Sequence, residues 1–107
     1  MFTRIVECRL KPEKKQEAAA RMNNEVLPVL QKQPGFVDLI SLTHEHEPER
    51  MVALSFWKSR EDAERYHREH FNRVTEILKP YLTDTPKVET YNVDTSTTHR
   101  IAAGKAA

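Results

Sequence analysis

Apolar positions along this chain recur with two periods, and the places where one period gives way to the other divide it into successive elements. Residues 2 to 10 alternate: Phe2, Val6, Cys8 and Leu10 share one parity, while Ile5 sits among Thr3, Glu7 and Arg9 on the other. That period of two predicts a strand. Arg4 falls in the apolar row. It is either an anion-binding group in a pocket or an arginine near a strand end that snorkels to water, and snorkelling is the ordinary expectation. From Glu13 to Gln33 the spacing changes to 3.6, with Ala18, Ala19, Met22, Val26, Val29 and Leu30 on one side and Pro12 acceptable in the first turn. Pro28 has no N–H for the Asn24 carbonyl and its ring crowds that turn, so a kink or break is expected near Asn24. Pro34 and Gly35 end the helix.

Two strands follow, Phe36 to about Glu45 and Arg50 to Lys58, joined through His46-Glu47-Pro48-Glu49. Their interiors, VDLISL and MVALSFW, are apolar on both parities, so both faces of the sheet need cover. Two helices cover one face only. A second copy of the chain is the economical cover for the other, which predicts a homodimer through the sheet. The second helix starts at Ser59, a good N-cap, with Glu61 and Asp62 where the helix dipole favours negative charge. Ala63, Tyr66, His67, His70, Phe71, Val74, Ile77, Leu78 and Tyr81 then fall on an arc of about 140°, and Pro80 stops the helix. Residues 86 to 93 (PKVETYNV) read as a last strand, and residues 94 to 107 as a mobile tail. The order predicts an α+β, ferredoxin-like βαββαβ domain over residues 1 to 93, a four-stranded antiparallel sheet with two helices on one face.

Composition narrows the function. The 107 residues suit one small domain with one core. Seventeen Lys and Arg nearly balance sixteen Asp and Glu and are interspersed, which disfavours a nucleic-acid or anionic-membrane partner. No segment approaches the roughly 20 apolar residues that span a bilayer, and MFTRIVECRL lacks the apolar core of a signal peptide, so a cytoplasmic protein is expected. One cysteine, Cys8, excludes an intrachain disulfide and reads as a small buried hydrophobe. With glycine only at 35 and 104, no glycine-rich phosphate loop exists, and no nucleophile-elbow motif is present.

The candidate chemistry lies on the second helix. His67 and His70, three apart on its apolar arc, suit metal ligation, a base and donor in one pocket, or plain bridges at the edge of the core. No HxxE, HExxH or inward carboxylate pair completes a metal site, so none is expected. His44 and His46 share a strand face beside a charged turn and read as solvated. Trp57, Phe56, Tyr66, Phe71 and Tyr81 supply enough aromatic surface to line a small cavity, although such residues are more often plain core.

The QPGF of residues 33 to 36 after a kinked helix, SFWKS at 55 to 59, and the aromatic and histidine residues at 66, 67, 70 and 71 together resemble the antibiotic biosynthesis monooxygenase (ABM) domain family of dimeric α/β barrel proteins. The likeness runs from residue 2 to about 93. It implies a protomer whose sheet packs on its twin's, with a ligand cavity between sheet and helices. The family's haem-degrading branch places an asparagine, a tryptophan and a histidine where this chain has Cys8, Tyr66 and Glu76, so haem turnover is not expected. The branch that oxidises polyphenols without a cofactor implies His67 and Tyr66 as catalytic residues, one of which points into the cavity. By the same resemblance Trp57, His70 and Phe71 are substrate-binding, no metal or cofactor is needed, and the partner is a small aromatic molecule. The expected activity is cofactor-independent monooxygenation of phenolic or quinol-type substrates. The rival expectation is a non-catalytic dimeric ligand-binding or stress-response module of the same fold.

Overall fold

The structure is a computed structural model that describes residues 1–101. Strand β1 (Phe2–Arg9) leads through a 3-10 turn at Pro12–Lys14 into helix α1 (Lys15–Arg21), a π-helical stretch (Met22–Val26) and helix α2 (Leu27–Gln31). Strands β2 (Phe36–Thr43) and β3 (Arg50–Trp57), helix α3 (Arg60–Leu78) with a closing 3-10 turn at Lys79–Tyr81, and strand β4 (Lys87–Asn92) complete the order. The sheet runs β2-β3-β1-β4 with every neighbouring pair antiparallel. This is the ferredoxin-like α+β arrangement. Among the described residues no helix is long and apolar enough to cross a membrane.

The kink expected near Asn24 is a π-turn. The Leu27 N–H reaches the Met22 carbonyl five residues back, and the widened stretch directly precedes Pro28, whose missing N–H denies Asn24 its usual partner.

Register fixes what each face carries. Phe2 pairs with Trp57, Arg4 with Ser55, Val6 with Ala53 and Cys8 with Met51, and on the other side Val6 pairs with Val88 and Arg4 with Thr90. These residues face the helices. The β2 register shifts between Phe36 and Asp38, so Phe36 and Leu39 join the helix side and Asp38 turns to the other. Phe2, Val26, Leu30, Trp57, Ala63, Tyr66 and Val74 form the buried core there, and Leu10, Ala18 and Tyr81 a smaller second cluster.

The opposite face carries Ile5, Ile40, Leu42, Val52, Leu54 and Phe56. One end of it is covered by residues 94–101. Ser96 and Ile101 close a turn that sets the His99 ring 5.3 Å from Phe56 and its Nε2 3.7 Å from the Asp38 carboxylate. Of the mobile tail expected over 94–107, residues 102–107 lie outside the described residues.

Candidate functional site

The site is built where α3 crosses β1. Ser59 caps α3 by accepting from the Asp62 N–H at 3.2 Å, and its own hydroxyl donates to the Asp62 carboxylate at 3.0 Å. Gly35, at φ +80°, fits against that Asp62 side chain, and its carbonyl accepts from Lys58 N–H at 2.8 Å. Phe36 packs edge-on to Trp57 with centroids 5.6 Å apart. The residues of PGF and of W-x-S thus lock the start of β2 to the start of α3, which sets the rotation of α3 over the sheet.

That rotation lays an aromatic stack over β1. Trp57 is wholly buried and its Nε1–H donates to Ser55 Oγ at 2.9 Å. Tyr66 stacks on it at 5.2 Å. The Arg4 guanidinium lies 5.1 Å from the Tyr66 ring centroid and 4.7 Å from that of Phe71, and His67 stacks on Phe71 at 5.0 Å. Arg4 Nη2 donates to His67 Nδ1 at 2.7 Å. The snorkelling expected of Arg4 does not occur: the residue is 3% exposed, because Tyr66 and Phe71 close over it.

Two chambers meet at Arg4. An apolar cavity of about 60 Å³ between sheet and helices is lined by Arg4, Cys8, Ala53, Tyr66 and Phe71 among others. A groove of about 300 Å³ between α3 and β4 is lined by Phe2, Arg4, Arg60, Ala63, Glu64, His67, Val88 and Thr90. The groove stays open because β4 presents only Val88 and Thr90 to α3, too small to fill the space beneath His67. An engineered apolar cavity of about 150 Å³ binds benzene, so at about 300 Å³ the groove has room for an aromatic ring, and at about 60 Å³ the cavity between sheet and helices does not.

The residues singled out from sequence divide between these places. Tyr66 and Phe71 line the cavity, while His67 lines the groove. His70, expected beside His67, opens on the other side of α3 into a separate depression with Asn24, Pro28 and Arg73. The two histidines flank the helix instead of sharing a pocket. Trp57 lies behind Tyr66 and serves as its support. Arg4 is the residue whose role the sequence left open, and its place in the apolar row was the signal.

Charge states follow from the packing. Burial lowers the Arg4 pKa, an effect that Tyr66 counters, and the guanidinium stays charged at physiological pH. Burial raises the Tyr66 phenol, with Arg4 pulling the other way. His67, although exposed on one side, is held below the ordinary imidazole range by partial burial first and by the Arg4 charge second. Arginine only donates, so His67 Nδ1 must carry the lone pair, and the neutral ring bears its proton on Nε2. Burial raises the Cys8 thiol, so the cavity's one thiol is a poor nucleophile. His44 is occupied elsewhere: its Nδ1 accepts from the N–H groups of His46 and Glu47 at 3.1 and 3.0 Å.

A family model described as antibiotic biosynthesis monooxygenase matches residues 1–76. The chain belongs to this family. Solved structures agree at the level of fold. A putative antibiotic biosynthesis monooxygenase from Nitrosomonas europaea superposes with a TM-score of 0.72 at 19% identity, covering 87% of this chain and 98% of its own. One from Bordetella bronchiseptica gives 0.76 at 12% identity over 86% and 95%. SnoaB, a cofactor-independent oxygenase from Streptomyces nogalater, gives 0.70 at 16% identity over 90% and 95%. At these identities the likeness carries the fold alone. No curated protein matches the sequence. For an ABM-family chain, the chemistry must then be argued from its own residues.

Proposed function

We propose that this ABM-family protein is a cofactor-independent monooxygenase of small phenolic or quinol-type aromatic substrates, working as a homodimer joined through the open sheet face. The observation that carries the reading is the groove itself, an apolar slot with a charged Arg4 and a neutral His67 at its base, 2.7 Å apart. The substrate ring lies between Phe2, Ala63 and Val88 with its hydroxyl at His67. Tyr66 and Phe71 act one step back as positioning residues, since they hold the Arg4 guanidinium in place.

An electron-rich phenolate needs no cofactor to react with oxygen. It passes one electron to O2, and the phenoxyl radical and superoxide combine at a ring carbon that bears hydrogen. The peroxide takes up a proton and loses water as that C–H bond breaks. One oxygen atom enters the quinone and one leaves as water, so phenol and O2 balance without a reductant. The protein supplies orientation, desolvation and stabilisation of the phenolate. A general-base role for His67 needs a free ring lone pair, whereas Nδ1 is engaged by Arg4 and Nε2 carries the proton. The geometry therefore favours assistance by Nε2–H donation to the phenolate, with the phenolic proton leaving to water through the open groove.

An oxygen electrode tests the reading. Hydroquinone and related electron-rich phenols should be consumed above autoxidation, with one O2 per quinone formed. His67→Ala should slow uptake by about 10²-fold, the usual loss for one oxyanion donor, with the melting temperature little changed. The rival, a non-catalytic ligand-binding module of the same fold, draws support from the smallness of the cavity between sheet and helices. Absence of uptake with every phenol tried would decide for it.

A further inference from the structure

Among the described residues every arginine that forms an ion pair does so near the surface: Arg9 and Arg50 meet Glu47, Arg21 meets Glu25, Arg60 meets Glu64 and Arg65 meets Asp62. Arg4 is the most deeply buried arginine of the described chain, and among the described residues no carboxylate forms an ion pair with it. Burying a cation without an anion is costly, and stacking on Tyr66 and Phe71 recovers only part of that cost. The two ring centroids are 6.4 Å apart, so the rings pack against adjacent sides of the guanidinium. Of its five N–H groups one is taken by His67 and another is engaged by the Tyr66 hydroxyl. The others have the geometry that a carboxylate or another oxyanion accepts.

The groove that reaches Arg4 complements this. Its walls include the apolar side chains of Phe2, Ala63 and Val88. The only other charges lining it, Arg60 and Glu64, bond to each other at 2.8 Å and so leave its field to Arg4. His67 adds a neutral donor at Nε2. An apolar slot with an uncompensated cation at its base selects a flat ring that carries a negative oxygen.

We infer that Arg4 and His67 form an oxyanion receptor and that the groove between α3 and β4 binds aromatic acids, planar rings bearing a carboxylate or an ionised hydroxyl. Arg4 is then a specificity-determining residue. As a statement about substrate this rests on the oxygenase reading; as a statement about binding it does not.

Calorimetric titration of the full chain at pH 7 tests it with three probes: 2-naphthoate, its neutral isostere 2-naphthamide, and acetate, which has the charge without the ring. Wild type should bind naphthoate at least tenfold more tightly than naphthamide, and acetate more weakly than either. Arg4→Met should reduce the preference for naphthoate to about onefold while naphthamide binding persists. It should also melt no lower than wild type, because a buried unpaired charge has been removed. Arg4→Gln, which keeps a hydrogen-bonding group without charge, reads the same ratio if the methionine variant does not fold. Equal binding of acid and amide by wild type, or a preference that survives in whichever variant folds, overturns the proposal. Oxygen uptake is scored separately. Acid-selective binding without uptake leaves the receptor standing and removes the oxygenase, and uptake without acid selectivity does the reverse.

Discussion

At the scale of single residues the decisive contact is the one between Arg4 and His67. A histidine whose pKa is depressed in the folded protein binds fewer protons there than in the unfolded chain. Its contribution to stability is therefore fully present above the ordinary imidazole value of 6.5 and is lost as pH falls through the depressed folded value. Following the His67 ring protons by NMR should give a titration midpoint below 6.5, moving back up in Arg4→Met, where the guanidinium charge is gone. A midpoint at or above 6.5 in wild type would mean that the pair is not formed in solution. The sequence displayed both residues on inward rows but could not rank them. An arginine within an alternating strand snorkels or stays buried according to what lies above it, and the closing rings, Tyr66 and Phe71, come from more than 60 residues away. Likewise the helical arc put His67 and His70 side by side, because a projection gives angle around a helix and not the size of the residues opposite. Small residues on β4 opened one side, and the π-turn beside Pro28 lines the depression on the other.

At the scale of elements, the motif that was easiest to read turns out to be structural. Gly35 occupies the left-handed region, and a Cβ there would collide with the carboxylate of Asp62, the residue whose N–H is capped by Ser59. Gly35→Ala should cost roughly 1–3 kcal/mol through strain and displaced capping, read as a lower denaturant midpoint at unchanged slope. Ser59→Ala alone should cost about 1 kcal/mol. Because both act through Asp62, the double variant should lose less than the sum of the two; strict additivity would show that the β2 and α3 starts are not coupled. This explains why fold and family were legible from the PGF and W-x-S residues while the ligand was not. Those residues set where α3 lies. What α3 then encloses depends on which side chains meet across the sheet, and single-sequence periodicity does not encode that pairing. The kink was legible for the same local reason, since the cause and the effect lie within one turn.

At the scale of the whole molecule the question is what covers the open face of the sheet. Ile40 and Leu42 are 40% and 49% exposed, and register places them in rows with Leu54 and Ile5, and with Val52. The turn at 96–101 meets Phe56 and Asp38, in the row they share with Thr3. Among the described residues the row of Ile40, Leu54 and Ile5 is apolar across three strands and, with Leu42 and Val52 beside it, forms a contiguous apolar surface of the kind that marks an interface. A two-fold axis through such a face buries the same patch on both copies, so one substitution strikes the interface twice. Leu54→Glu, at the middle of the patch, should therefore convert a dimer into a folded monomer by light scattering at micromolar concentration. Ala53→Glu, one residue away but facing the cavity beneath the helices, should instead destroy the fold, because it buries a charge beside Tyr66 and Phe71. The sequence made both parities apolar and so could not tell these neighbours apart; the register of β3 against β1 does. A wild-type chain that scatters as a monomer would leave the apolar surface without this partner. A Leu54→Glu chain that stays dimeric would place the interface on another surface.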